Sequence, residues 1–166
     1  ADSTELSTGL MSFTHLHLAS GYSFKYGTTL PDSLVERAAE LGMSALALTD
    51  RDTLAGAIRF ATSCDERSIA PILGIDIAFL NEKRRITLLA TPGKGWNSLV
   101  NIMTALKEEP SQRCTIDFLR RNSHHTVNLL ALHGAESEIG YLVGTYRYKQ
   151  ARTHYDELRE VFLDQA

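Results

Sequence analysis

Residues 31–67, PDSLVERAAELGMSALALTDRDTLAGAIRFATSCDER, decide how this chain folds. Pro31 suits the first turn of a helix, Asp32 complements the positive end of its dipole, and Gly42 closes it, so a helix is expected over 31–41. Leu34, Val35, Ala38, Ala39 and Leu41 recur at helical spacing. Ser44-Ala-Leu-Ala-Leu-Thr49 follows, a short unbroken apolar run between turn residues, which fits a strand buried on both faces. A second helix is expected over 54–67, with Ala57, Ile58, Ala61 and Cys64 on one side.

Working outward, strands are expected over 13–18, 70–79, 85–90 and 127–132, and helices over 96–107, 116–121 and 136–146. Residues 149–163 read as a solvated amphipathic helix. Strands alternating with helices imply an α/β fold built of βα units around a mainly parallel sheet, either an open doubly wound sheet or a barrel. No Gly-rich phosphate loop follows the first strand, which argues against the dinucleotide-binding form. A complete eight-unit barrel needs about 250 residues, more than the 166 here.

A content of 43% hydrophobic and 22% charged residues is that of an ordinary globular domain, not of a disordered tail or a disulfide-dense module. The net charge of −3 is wrong for a domain that grips nucleic acid, because such affinity comes mostly from neutralising phosphates. Residues 1–12 are expected to be a flexible extension, with the domain over 13–166. The opening ADSTELSTGL lacks the basic start and apolar stretch of a secretory signal, and no apolar run is long enough to cross a bilayer. Cys64 and Cys114 are far apart and lack metal-ligand spacing, so they read as buried thiols in a reducing, cytoplasmic setting.

Polar residues gather at three strand ends, where α/β folds place their chemistry: His15-Leu-His17 with Ser20, Thr49-Asp50-Arg51-Asp52, and Gly74-Ile-Asp76. Two residues apart on a strand, His15 and His17 would face the same way, about 6.5 Å apart. Such a pair can bridge metal ions, with Asp76 adding an oxygen ligand. The plainer alternative has His15 hydrogen-bonded in the interior and His17 lining a wet cavity. His133 ends a strand and either faces the same cleft or bonds to backbone. His124 and His125 are expected on a polar turn, and His154 in solvent on the last helix.

FTHLHLASGYSFKYGTTLPDSLVERAAELGMSALALTDRDTLAGAIRFA, followed by IAPILGIDIAF, resembles the start of the PHP (polymerase and histidinol phosphatase) domain, in the form found in bacterial family-C DNA polymerase III alpha subunits. ITLLATPGKGWNSLVNIMTAL supports that polymerase branch, and LALTDRDTLAGAIRF with the Gly-x-Asp is most similar to the error-prone, alpha-like type. The resemblance runs from Phe13 to about Leu106. It implies a distorted βα barrel, incomplete in this chain, and in active members a trinuclear metal site that hydrolyses phosphoesters. Of the positions that hold those metals, the resemblance assigns His17, Ala19, Tyr26, Arg51 and Asp76 here, with His15 just outside the motif.

An alanine has no donor atom, and an arginine stays charged and cannot ligate a cation. Tyrosine is protonated near neutrality and ligates poorly. The resemblance therefore implies a pseudo-active site with no catalytic residue, no metal and no cofactor. It implies a structural domain working in replication or translesion synthesis. The partners expected are the rest of the alpha subunit and its holoenzyme; DNA is met only through the parent polymerase, and no membrane is involved. The polymerase itself would be a nucleotidyltransferase whose carboxylates lie downstream. An interrupted barrel leaves open strand edges, so residues 149–163 are expected to cover one, or the chain to self-associate. Two other readings remain. One is a metal-dependent phosphoesterase using a divalent metal on His15, His17, Asp50, Asp76 and His133. The other is a module for an acidic ligand, with Arg51 as the anion contact beside Lys25 and Arg59.

Overall fold

The computed structural model describes residues 13–109, 111 and 113–163; the extension expected over 1–12 lies outside them. The elements are α1 (Pro31–Glu40), β1 (Ala45–Arg51), α2 (Ala57–Glu66), β2 (Ala70–Phe79), β3 (Asn81–Ala90), α3 (Gly95–Glu108), α4 (Ile116–Arg121), β4 (Leu129–Leu132), α5 (Glu138–Gly144) and α6 (Tyr148–Leu163). Leu30 stays extended ahead of Pro31, as a residue before proline does, and Pro31 opens α1. Gly42, at φ +70°, makes the left-handed turn that ends it, while the Met43 N–H reaches back to the Ala38 carbonyl at 3.0 Å.

The strands lie in the order β1-β2-β3-β4, with helices packed against them, and the sheet does not close. This is an open α/β sheet rather than a complete barrel. One core forms where α1 and α2 bring Val35, Phe60 and Cys64 against Leu46 and Leu48 of β1. A larger one forms where α3, α4 and α6 bring Leu99, Ile102, Phe118, Leu158 and Val161 against Ile75, Ile77, Ile86 and Leu88. Leu73 packs against both. Phe60 is wholly buried, a removal from water that contributes roughly 1.5–3 kcal/mol. Both thiols are free and buried, as expected, and burial pushes that of Cys64 up to about 11.

The mainly parallel sheet is overturned. Among the four described strands only β1 and β2 pair in parallel; β2–β3 and β3–β4 are antiparallel. A parallel crossover needs a dozen or more residues, whereas Leu80, at φ +63°, alone separates β2 from β3. The first strand, over 13–18, is also corrected. The Ala47 and Thr49 N–H groups donate to the carbonyls of His15 and Leu18 at 2.9 and 2.8 Å, so three residues there face two on β1. This bulge-like mismatch, at a bend on Leu16, interrupts the regular ladder.

The solvated reading of 149–163 is corrected as well. α6 buries Ala151, Leu158 and Val161, and Thr126 Oγ1 donates to the Val161 carbonyl at 3.0 Å. His154 packs edge-on against Phe79 with ring centres 5.7 Å apart, and its buried Nε2 has no hydrogen-bond partner among the described residues.

Candidate functional site

β1 and β2 are parallel and in register, so Arg51 lies opposite Asp76 at their carboxyl ends. Because β3 runs antiparallel to β2, its beginning rather than its end lies at that same edge. There Thr87 pairs with Asp76 and Arg85 with Ala78. The hairpin thus brings a second arginine to the place where the strand ends deliver their polar residues.

The cleft at this edge has a volume of about 510 Å³ and is lined by His17, Tyr26, Asp76, Arg85, Thr87, His133 and the turn over 134–137. Asp76, 1% exposed, forms its floor. Arg85 Nε donates to Asp76 Oδ2 at 3.0 Å, Nη2 to the Asp76 carbonyl at 2.5 Å, and Nη1 to Asp52 Oδ2 at 3.1 Å. Thr87 Oγ1 donates to Asp76 Oδ1 at 3.2 Å. Arg51 Nε stands 3.5 Å and His17 Nε2 3.8 Å from Asp76 Oδ2. Burial works to raise the Asp76 carboxyl, but His17 and the Arg85 guanidinium outweigh it and hold it below its ordinary 3.8. The remaining reach of Arg51 is spent on Glu136 Oε2, at 2.6 Å from Nη2, and on the ring of Tyr26.

Two further aspartates are fixed around this centre. Asp50, 2% exposed, accepts from the Ser20 N–H at 2.6 Å, from the Ser20 hydroxyl and from the Ser23 hydroxyl at 2.6 Å. It holds the loop after the first segment shut. Asp52, left-handed at φ +55°, donates its N–H to the Asp76 carbonyl and accepts from the Ala78 N–H, each at 2.9 Å. That pair of bonds staples the end of β1 to β2.

The bulge at Leu16 separates the two histidines expected to face one way. His17 lines the cleft, whereas His15 is exposed and stacks edge-on against Phe13 at 4.7 Å, outside it. Ala19 is half-buried and offers only a methyl group. Tyr26, Arg51 and Asp76 do converge, and His133 reaches the cleft wall. Lys25 and Arg59 do not: Lys25 sits over the Phe24 ring at 5.3 Å, and Arg59 pairs with Asp32. His125 is half-buried against His124, at 3.9 Å between rings.

Sequence reasoning missed Arg85 and Thr87. Their signal was present: Arg85 and Thr87 alternate with Ile86 and Leu88, which puts one charge and one hydroxyl on a common face.

A multinuclear metal site does not fit these residues. Among the described residues no three His, Cys, Asp or Glu side chains are grouped to hold a metal ion. Asp76, the one carboxylate on the cleft floor, faces two guanidinium groups, and the oxygens of Asp50 are taken by Ser20 and Ser23. Each guanidinium repels a divalent cation and cannot ligate one. What this arrangement can do is hold charge in a fixed, neutralised cluster.

The chain is 37% identical over 161 residues to an error-prone DNA polymerase from Symbiobacterium thermophilum, covering 85% of this chain and 14% of that one. It is 36% identical over 100 residues to the DNA polymerase III subunit alpha of Buchnera aphidicola subsp. Schizaphis graminum, covering 57% of this chain and 9% of that one. The chain thus spans a seventh or less of the length of these relatives. Among solved structures, an amidohydrolase from Chromobacterium violaceum with bound sulfate and no metal superposes with a TM-score of 0.45 at 18% identity, covering 86% of this chain and 54% of that one. The PHP domain pattern matches residues 15–166, which take in every element from α1 to α6 and both cleft arginines, and the chain belongs to the PHP domain family.

Proposed function

We propose that this chain is a structural, metal-free PHP domain of a DNA polymerase III alpha-type polypeptide, serving DNA replication or translesion synthesis in the cytoplasm. Its partner is the remainder of that polypeptide and its holoenzyme, and DNA is contacted through the polymerase rather than by this domain. The observation that carries the reading is the pairing of Asp76 with Arg85 and Arg51, which sets positive charge where hydrolytic chemistry would need a metal. The polymerase names of its relatives support the context. No helix of the described residues is long and apolar enough to cross a membrane.

The test is metal analysis of the purified chain, with hydrolysis of a chromogenic phosphoester under added manganese or zinc. The expected result is substoichiometric metal and no turnover above buffer. Stoichiometric metal, with turnover abolished by His17→Ala, overturns the reading in favour of a phosphoesterase. Sequencing the gene beyond this region tests the polymerase context, where the nucleotidyl-transfer carboxylates are expected downstream.

A further inference from the structure

We propose that Arg85 is the resident cation of the cleft: it neutralises Asp76 as a bound divalent ion would, and by doing so closes the site to metal. This rests on the metal-free reading and gives it a physical cause. Arg51, at the position the family resemblance points to, is not sufficient. Its Nε lies 3.5 Å from Asp76 without completing a hydrogen bond, and its Nη2 is committed to Glu136, which is largely exposed. Arg85 is different in kind. Its side chain is only 10% exposed, and three of its nitrogens are spent on one local cluster: the Asp76 carboxylate, the Asp76 carbonyl and the Asp52 carboxylate.

A buried carboxylate without a counter-charge is strongly destabilising. Asp76 is 1% exposed, so a cation held beside it offsets the cost of keeping it ionised. A metal ion can leave; a guanidinium anchored on β3 cannot. Its planar fork also binds a side-chain oxygen and a main-chain oxygen of one residue through two separate nitrogens, where a lysine has only one. Arg85 therefore ties the neutralisation of Asp76 to the β2–β3 register, and the pocket is complete without any added ion.

The test is a double-mutant cycle on the full chain, read as thermal midpoint with and without added Zn²⁺ or Mn²⁺. Arg85→Met is expected to lower the midpoint on the order of 10 °C, as removal of one partner of a buried pair does. Asp76→Asn combined with R85M is expected to recover much of that loss, because neither charge is then stranded. R85M alone should regain part of its midpoint on adding Zn²⁺ or Mn²⁺, while the wild type should not shift. Arg85→Lys should lie between wild type and R85M. Should R85M fail to fold, folding of the double variant under the same conditions is the expected sign of coupling. An R85M midpoint equal to wild type, or equal losses from R85M with and without D76N, overturns the proposal. Stoichiometric metal in the wild type overturns the metal-free reading instead, and the cycle reports that failure separately.

Discussion

The guanidinium carbon of Arg51 lies 3.4 Å from the centre of the Tyr26 ring, so a residue from the end of β1 is stacked on the loop that precedes α1. The contact fixes the mouth of the cleft while the same arginine reaches Asp76 and Glu136. Tyr26 is half-exposed, which keeps the energy modest. Tyr26→Ala should cost about 0.5–1 kcal/mol. Arg51→Lys should lose the planar stacking on Tyr26, and a double-mutant cycle in urea should show that most of the Tyr26 effect vanishes in the lysine background.

Asp50 is expected to be a fold-maintaining carboxylate. It gathers the Ser20 amide and the hydroxyls of Ser20 and Ser23, and the Ser23 hydroxyl in turn accepts from the Arg51 N–H at 2.9 Å. Asp50→Ala strands these donors and should cost about 3 kcal/mol. Amide exchange at Gly21, Tyr26 and Gly27, whose N–H groups close the loop, should accelerate in the variant. Unchanged exchange at those amides would show that the loop closes without Asp50.

Gly74 sits mid-sheet between Thr49 of β1 and Leu89 of β3. A methyl group there would lie 2.7 Å from the Leu88 carbonyl oxygen and 2.8 Å from Thr49 Cγ2. The carbonyl belongs to a central strand and has little room to withdraw. Gly74→Ala should therefore lower stability by about 2 kcal/mol in chemical denaturation, and shift Asp76 two residues along the same strand. A neutral variant would mean that β3 can move away from β2 freely.

Stability should fall as the pH drops below neutrality. Burial lowers the pKa of both His133 and His154 from the ordinary 6.5; His154 adds to the effect on His133, while Glu138 and Glu157 oppose it at His154 without cancelling it. The unfolded chain then takes up protons near 6.5 that the folded chain resists, so stability is full above 6.5 and declines as pH falls through it. His154→Phe keeps a ring against Phe79 and removes the unpartnered Nε2. Its midpoint should vary less than the wild type's between about pH 7 and pH 5. Asp76 acts in a separate acid window: its stabilisation is present above 3.8 and is lost as pH falls through its lower folded value.

Much of the architecture was legible because it rests on local chemistry. Pro31, Asp32 and Gly42 bracket α1 close to the expected limits, and the apolar run ending at Thr49 became β1. The misreadings of the sheet share one cause, an assumed regularity. Five residues between the strands expected to end at 79 and begin at 85 are too few for a crossover, yet regular alternation elsewhere suggested one. His15 and His17 seemed to share a face because a regular strand was assumed, and one extra residue at the Leu16 bend separated them.

By itself, the sequence determined the helix periods and the PHP family, since these follow from local residue patterns and from motifs that lie close together along the chain. Only the tertiary structure decided which cation answers Asp76. Arg85 is nine residues away along the chain and reaches Asp76 through the antiparallel β2–β3 register. Pairing across strands is fixed by hydrogen-bonded register and turn length, and a shift of one residue would turn Arg85 to the opposite face.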